Sequence, residues 1–360
     1  MRDYDVSLIE QIRKKQYVKN TEGLNVLVKR VPDDDRENVL DPRVLQIAEK
    51  KKKRISGLKK GYSLASERFR PDKISYDLTT TEIKVEERLI PVANHMIDIF
   101  IYTPEEAEGK LPLIIFYHGG GFTAGDMKLY VNQMKLICEL SKAVVIFPEY
   151  RLAPENPFPA QIVDAEGTIS WALKNAEYLN IDPEKLMICG DSAGGSIVNS
   201  VIIRDTEKHV KKAFEIYPGV DSTTLEHLEL YDWSYDMYPV VEEQKELAFS
   251  RIDKIRKVSH GSEKDSLYLQ GRTRYNNPEI SIVYATDQQL KQLPPIVIAY
   301  SEYDFLRVSD EYFARRLAGV NHDVKAIMYC GCDHGFLDCL GLVPQAEELC
   351  HVIAEEVSTL

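Results

Sequence analysis

The chain lacks any apolar run that approaches about 18 residues, the length needed to cross a bilayer. Its opening residues, Met-Arg-Asp-Tyr-Asp-Val-Ser, also lack the apolar stretch of a secretory signal peptide. Positive charge is scarce, because 45 Lys and Arg residues are outnumbered by 57 Asp and Glu residues. The resulting net charge of -12 argues against nucleic acid or an anionic membrane as the main partner. We therefore expect a soluble, cytoplasmic protein with no membrane span and no nucleic-acid partner.

Cysteine and histidine are too scattered to form a zinc site. Cys330 and Cys332 are close in sequence, but no second Cys or His pair stands at ligand spacing. We expect no metal and no cofactor. A chain of 360 residues can be stable without disulfides, which favours a reducing compartment. Apolar neighbours predict that Cys138 and Cys189 are buried free thiols.

The sequence does contain a regular alternation of apolar strands and helices. Nearly continuous apolar runs, typical of strands buried on both faces, occupy residues 113–117, 143–147, 186–189, 213–217, 296–300 and 324–329. Helical patterns lie at about 127–141, 159–177, 193–207, 307–319 and 344–357. Two alternating segments, 82–90 and 95–102, predict an antiparallel pair at the edge of the sheet. This order predicts an α/β fold with a mostly parallel, doubly wound sheet.

Two regions fall outside this alternation. Residues 1–75 are rich in charge and predict helices, whereas residues 219–292 carry polar and aromatic side chains without a strand pattern. The second region is too long for an ordinary connection, so we interpret it as an insertion with its own helices. The expected plan is a core in two parts, 76–218 and 293–360, interrupted by the insertion at 219–292 and preceded by the helical residues 1–75.

The most informative local motif is Gly-Asp-Ser-Ala-Gly at residues 190–194, which follows a predicted strand. A serine on a tight turn between a strand and a helix has a strained backbone, and glycines two residues away leave room for the crossing chain. Ser192 would then present its hydroxyl at the start of a helix, with the Ala193 amide directed into the same space. Taken alone, the motif also fits an ordinary turn that contains a small residue.

Three further features follow predicted strands. His-Gly-Gly-Gly-Phe at 118–122 can bring backbone amides close to a ligand. A phosphate-binding loop is disfavoured there, because the G-x-G-x-x-G spacing and a P-loop lysine are both absent. Asp304 falls where the strand at 296–300 should end, and His334 comes after the strand at 324–329. The order serine, acid, histidine at the carboxyl edge of the sheet matches an α/β-hydrolase triad.

Together these motifs resemble the hormone-sensitive lipase family of α/β-hydrolases, which includes bacterial carboxylesterases. The matching segments are His-Gly-Gly-Gly-Phe at 118–122, Tyr-Arg-Leu-Ala-Pro-Glu at 150–155, Phe-Pro-Ala at 158–160, Gly-Asp-Ser-Ala-Gly-Gly at 190–195, Leu-Pro-Pro at 293–295, Asp-Phe-Leu at 304–306 and His-Gly-Phe at 334–336. The resemblance implies an α/β-hydrolase fold with a mostly parallel, eight-stranded sheet flanked by helices. It also implies that residues 1–75 and 219–292 form a helical cap.

The resemblance further implies the roles of the motif residues. Ser192 would be the nucleophile, His334 the general base and then acid, and Asp304 the residue that orients the imidazole. The oxyanion hole would consist of the amides of Gly120, Gly121 and Ala193. The chain departs from the family after Asp304, where Phe-Leu-Arg-Val-Ser replaces the usual Pro-Leu-Arg-Asp-Glu. Rival acids near the histidine are Asp310, Asp333 and Asp338.

The other motif residues are expected to shape the site. Phe122 would contact the substrate, together with aromatic residues of the cap. His118 would brace the glycine loop. Asp191 and Glu155 would fix the neighbouring loops, with Arg151 as the residue that joins them.

The implied function is a serine carboxylesterase that hydrolyses short- to medium-chain acyl esters through an acyl-enzyme, with a small ester and water as substrates. The same triad would serve an acetyl esterase acting on decorated sugars or an amidase. An alternative from another class is a non-catalytic small-ligand receptor on the same fold, like the plant gibberellin receptors, in which the triad histidine is replaced. Family members occur as monomers and as dimers that pair through the last strand, and we expect a homodimer.

Overall fold

The computed structural model describes residues 2–55, 63–69, 74–105, 108–259 and 265–360. In these residues, ten strands form one sheet with the order β1-β2-β10-β9-β8-β7-β5-β6-β4-β3. The strands are β1 (Tyr17–Thr21), β2 (Leu24–Lys29), β3 (Ile83–Val92), β4 (His95–Pro104), β5 (Leu111–Tyr117), β6 (Val144–Pro148), β7 (Ile181–Asp191), β8 (Lys212–Ile216), β9 (Ile296–Tyr303) and β10 (Val324–Asp333).

Helices pack on both faces of the sheet. They are α1 (Ser7–Lys15), α2 (Pro42–Ile55), α3 (Leu64–Arg68), α4 (Val131–Ser141), α5 (Ala160–Lys174), α6 (Ala176–Leu179), α7 (Ala193–Arg204), α8 (Glu242–Ser259), α9 (Asp287–Leu290), α10 (Arg307–Gly319) and α11 (Pro344–Val357). The five helices predicted from the sequence are confirmed as α4, α5, α7, α10 and α11. Among the described helices, none combines the length and the apolar character that a bilayer crossing requires.

The predicted α/β fold is confirmed, with a mostly parallel sheet. Strands β5 to β10 run parallel to one another. Strand β4 pairs antiparallel with β6, and β3 and β4 form the predicted antiparallel pair at one edge. Successive side chains of β5 alternate between two apolar layers, with Ile115 in one layer and Ile114 and Phe116 in the other. Burial on both faces explains why the central strands are nearly continuous apolar runs.

The N-terminal region corrects the prediction of an eight-stranded sheet. Residues 1–75 contain the helices α1, α2 and α3, as expected, but also two strands that were not predicted. Strands β1 and β2 form a hairpin whose turn residues, Glu22 and Gly23, both have positive φ. Buried Leu24, Val26 and Val28 alternate along β2, which adds to the sheet beside β10. The sheet therefore has ten strands. The alternation is visible in the sequence, but the high charge of the surrounding residues masks it.

This hairpin also occupies the outer edge of the last core strand. Residues 326–329 of β10 pair in parallel with residues 26–29 of β2. Two copies therefore cannot pair through the edge of β10 in this structure, which is the mode of dimerisation that the family resemblance suggested. The residues of the candidate site lie on the loops that follow β5, β7, β9 and β10. These loops leave the sheet at the carboxyl ends of the strands.

Candidate active site

Ser192 lies on a sharp turn between β7 and α7. Its backbone has φ 54° and ψ -117°, a strained conformation for a residue with a side chain. The turn is held by the Ser192 amide, which donates to the Ile216 carbonyl at 2.9 Å. Glycine is required at position 194, because a Cβ there would lie 1.9 Å from the Tyr117 carbonyl oxygen. The sequence thus folds locally into the turn that the glycine spacing predicted, with the serine hydroxyl at its apex.

A chain of hydrogen bonds joins the three predicted triad residues. Ser192 Oγ lies 2.9 Å from His334 Nε2, and His334 Nδ1 lies 2.6 Å from Asp304 Oδ2. Asp304 is fully buried, and its other carboxylate oxygen accepts the Leu306 amide at 3.1 Å. The imidazole is therefore oriented by a fixed carboxylate and directs its second nitrogen at the serine, which is the arrangement needed to remove the hydroxyl proton.

The three rival acids, Asp310, Asp333 and Asp338, are not the carboxylates that contact the His334 ring in the described chain. Asp333 pairs with Arg251 of α8 at 2.5 Å. Asp310 is fully buried in α10, and burial raises its pKa well above the usual carboxyl range. Asp338 lies in the turn that follows His334. In the part of the chain that the structure describes, the carboxylate bonded to the His334 ring is that of Asp304.

The glycine loop after β5 presents its backbone towards the serine turn. Gly120 and Gly121 have φ of 130° and 63°, and a Cβ on Gly120 would lie 2.0 Å from the Ala124 carbonyl oxygen. Ala193 is the first residue of α7, so its amide has no partner within the helix. Within the described chain, none of these three amides donates to another protein group. They remain able to donate to a ligand oxygen.

Two predicted supporting residues hold this loop. Asp191 accepts the Gly119 amide at 2.7 Å and the Tyr130 hydroxyl at 3.1 Å. His118 is fully buried and stacks on Tyr150, whose hydroxyl donates to the His118 carbonyl at 2.6 Å. Both side chains therefore lie where the expected bracing of the loop requires them.

The expected joining role of Arg151 is wrong. Arg151 pairs with Asp164, a buried carboxylate of α5 that also accepts the Arg151 amide at 2.8 Å. Glu155 pairs instead with Arg68, whose guanidinium also donates to the Thr123 carbonyl. Sequence analysis missed Arg68 and Asp164 because neither belongs to a recognised motif, and each meets its partner only in the folded chain.

The side chain of Phe122, the predicted substrate contact, is buried against other side chains. Its side chain is 3% exposed and stacks on Tyr268 with 3.7 Å between ring centroids. Four other aromatic residues of the insertion, Tyr231, Trp233, Tyr235 and Tyr238, belong to a separate cluster with Phe305. The structure gives Phe122 a packing role behind the glycine loop, and its contact with substrate stays a prediction.

Other side chains border the triad without any motif to mark them. The ring of buried Tyr217, at the end of β8, lies 4.8 Å from that of His334. Val44 and Ile47 of α2 line a cavity beside His334. Val258 of α8 lies close to Gly121, because a Cβ added to this glycine would be 3.6 Å from the Val258 side chain. The site is therefore flanked by one helix from the N-terminal region and one from the insertion.

A serine on a strained strand-to-helix turn, bonded to a histidine and a buried aspartate at the carboxyl edge of this sheet, defines an α/β hydrolase. The chain belongs to the α/β-hydrolase fold family, whose model matches residues 114–338. The match covers more than half of the chain, and it confirms the predicted resemblance to the hormone-sensitive lipase group.

Several relatives are similar over most of their length. The carboxylesterase NlhH of Mycobacterium tuberculosis is 27% identical over 296 residues, which are 80% of this chain and 86% of that protein. The esterase LipI of the same organism is 26% identical over 323 residues, 87% and 93% of the two chains. Among solved structures, the ester hydrolase EH1AB1 from the metagenome of Lake Arreo has a TM-score of 0.75 at 26% identity, with 89% of this chain and 99% of that chain covered.

Proposed function

We propose that this protein hydrolyses carboxylic esters with Ser192 as nucleophile, His334 as general base and acid, and Asp304 as the orienting carboxylate. The family and its named relatives make the chain a carboxylic ester hydrolase as a class. The observation that carries the assignment of residues is the pair of contacts at His334, 2.9 Å to Ser192 and 2.6 Å to Asp304.

In the first half of the reaction, His334 Nε2 takes the Ser192 proton as Oγ attacks the ester carbonyl. The carboxylate of Asp304 stabilises the imidazolium that forms, because it accepts from Nδ1. Negative charge moves to the carbonyl oxygen, where the amides of Gly120, Gly121 and Ala193 would donate to it. Loss of one such donor typically costs about 2.7–4 kcal/mol of transition-state stabilisation.

Collapse of the intermediate expels the alcohol, which receives the proton from His334, and leaves an acyl group on Ser192. Water then attacks the acyl carbonyl while the same imidazole acts as base. The serine is regenerated and the carboxylic acid is released. Every proton in this cycle passes through His334, so the protein's own side chains account for each step.

We further propose that residues 1–75 and 219–292 cover the site as a cap and restrict the acyl chain to short or medium length. The positions of Val44, Ile47 and Val258 around the triad support this proposal, because apolar side chains from both regions reach the site. A substrate chain would have to fit beside them, and long chains would meet the packed helices α2 and α8.

Hydrolysis of p-nitrophenyl esters from acetate to palmitate tests both proposals, with wild type and Ser192→Ala assayed in parallel. We expect activity in the wild type alone, with kcat/KM highest between about two and eight acyl carbons. More than a few per cent of wild-type activity in Ser192→Ala would contradict the nucleophile. A steady rise towards palmitate would contradict the restricted chain length.

A cytoplasmic location is also part of the proposal. Cys138 and Cys189 are fully buried free thiols, as predicted. Free thiols suit a reducing compartment, because oxidising compartments favour disulfides. Cell fractionation with an antibody against the protein tests the location, and recovery from outside the cell would contradict it.

A further inference from the structure

A second cavity, separate from the one beside His334, lies between the N-terminal hairpin of β1 and β2 and helix α10. It measures about 120 Å³, and its polar wall is formed by one face of the helix, where Arg307, Glu311 and Arg315 follow each other at a spacing of four residues. Tyr300 of β9 also lines it. Leu24, Val26, Val28 and Met328 form an apolar surface opposite the helix, and Lys19 and Thr21 of β1 also line the cavity. The cavity is thus polar on its helix side and mostly apolar on its hairpin side.

Two donors at this cavity are buried without a partner. Tyr300 is fully buried, and its hydroxyl makes no hydrogen bond to any described residue. The charged groups that act on this hydroxyl are Glu311, Arg307, Asp310 and Arg315, all of α10, so it faces the helix side of the cavity. Nε of Arg307 is likewise buried without a partner in the described chain. Buried donors of this kind are uncommon and costly, and an acceptor in the cavity would satisfy both.

The charges around the cavity favour an anion. Lys19, Arg307 and Arg315 supply three cations to the lining, against one carboxylate, that of Glu311. Glu311 pairs with Arg307 Nη1 at 3.1 Å, Nη2 donates to the Met237 carbonyl, and Nε has no partner among the described residues.

Three more carboxylates lie near. Asp310 is fully buried, which raises its pKa well above the usual carboxyl range and favours its neutral form. Glu22 reaches Arg315 at 3.3 Å from an exposed position, where an ion pair is weak, and Glu302 accepts the Gly331 amide.

We propose that this cavity binds a small organic monoanion, a carboxylate with a short apolar chain. Its carboxylate would accept from the Tyr300 hydroxyl and from the guanidinium groups of Arg307 and Arg315, which suit carboxylates. Its apolar chain would lie against the hairpin side chains. An apolar protein cavity of about 150 Å³ can hold benzene, so a volume of about 120 Å³ suits an acid of about four carbons.

Calorimetric titration of the full-length protein with sodium butyrate tests the proposal. We expect saturable binding to the wild type and at least a tenfold weaker affinity in Arg315→Gln. Tyr300→Phe should bind several-fold more weakly while its melting temperature without butyrate stays equal to or above that of the wild type, since the change removes a buried hydroxyl that has no partner. Arg88→Gln removes a guanidinium on β3, which lies at the other edge of the sheet, and should bind as the wild type does.

Absence of saturable butyrate binding to the wild type would overturn the proposal. So would equal affinity in the wild type, Arg315→Gln and Tyr300→Phe, because the ligand would then lie elsewhere. Competition by butanol as strong as that of butyrate would show that the cations are not used, and equal binding of inorganic phosphate would show that the apolar wall is not used. None of these titrations depends on ester hydrolysis, so they are independent of the proposed reaction.

Discussion

The backbone of Ser192 lies in a region that costs of order 1–3 kcal/mol for a residue with a side chain. Its surroundings hold it there. The amide is bonded to Ile216, and the absence of a Cβ on Gly194 lets the helix start against the Tyr117 carbonyl. The turn holds the hydroxyl 2.9 Å from His334 Nε2, so the turn itself places the proposed nucleophile.

A second buried acid outside the triad has a consequence for stability. Glu215 of β8 is fully buried, and burial raises its pKa to about 8, although a hydrogen bond from Asn199 acts in the opposite direction. Its other carboxylate oxygen has no partner among the described residues. Folding therefore holds a proton on this group in a pH range where the unfolded chain has already lost it.

We predict that Glu215→Gln flattens the dependence of stability on pH. Between pH of about 4.5 and about 8, the native state keeps the proton and the unfolded state does not, so the wild type loses stability as pH rises, by up to about 1.4 kcal/mol per pH unit. Melting temperatures measured across this range should fall less steeply in the variant. Glu226→Gln, at the surface, should follow the wild type, and parallel profiles for wild type and Glu215→Gln would contradict the prediction.

At the scale of elements, helix α8 of the insertion is fastened to the strand that carries the histidine. Arg251 of α8 bonds to Asp333 of β10 at 2.5 Å, and their side chains are 17% and 11% exposed. Asp333 precedes His334 directly. A largely buried ion pair thereby ties the insertion to the backbone beside the His334 imidazole, whereas Lys52 and Glu246 join α2 to α8 at the surface.

We predict that Arg251→Met lowers the free energy of unfolding by roughly 3 kcal/mol, because it leaves the Asp333 carboxylate largely buried and unpaired. Lys52→Met breaks the exposed pair and should cost less than about 1 kcal/mol. Urea unfolding measures both. The double variant Arg251→Met with Asp333→Asn should lose less than the sum of the two single changes, and an additive loss would show that the two side chains do not interact.

The sequence allowed the motif elements and the proximity of the triad residues to be predicted, but not the contacts around them. Ser192, Asp304 and His334 each follow an apolar strand, and parallel strands bring their carboxyl ends together, so their proximity follows from chain order. The pairing of Arg151 with Asp164 has no such rule, since several carboxylates were available. Tyr217 beside His334 lies at the end of a correctly predicted strand, yet nothing in its neighbours marks it.

At the scale of the whole molecule, the hairpin of β1 and β2 changes which edge of the sheet is exposed. The outermost strand on the β10 side of the sheet is β1, a five-residue strand that carries Lys19 at its centre. Short edge strands with lysine resist pairing with another chain. The expectation of a dimer through β10 came from the family resemblance. The alternation within β2 could have shown a strand, but nothing in the local sequence shows that this strand pairs with β10.

We predict that the protein is a monomer in solution. Light scattering after size exclusion should give the mass of one chain at micromolar concentration, since the edge of β10 is already paired with β2. A mass of two chains would contradict this prediction and would require a contact surface other than the last core strand.

The central claim, that Ser192 is a nucleophile activated by His334, is tested most directly by the site and rate of covalent labelling with a fluorophosphonate. The probe attacks activated serines, so peptide mass spectrometry after labelling should find one adduct per chain, on Ser192. His334→Ala should slow labelling by at least about a thousandfold, because the proton acceptor 2.9 Å from Oγ is lost. An adduct on another residue, or labelling of His334→Ala at the wild-type rate, would contradict the account.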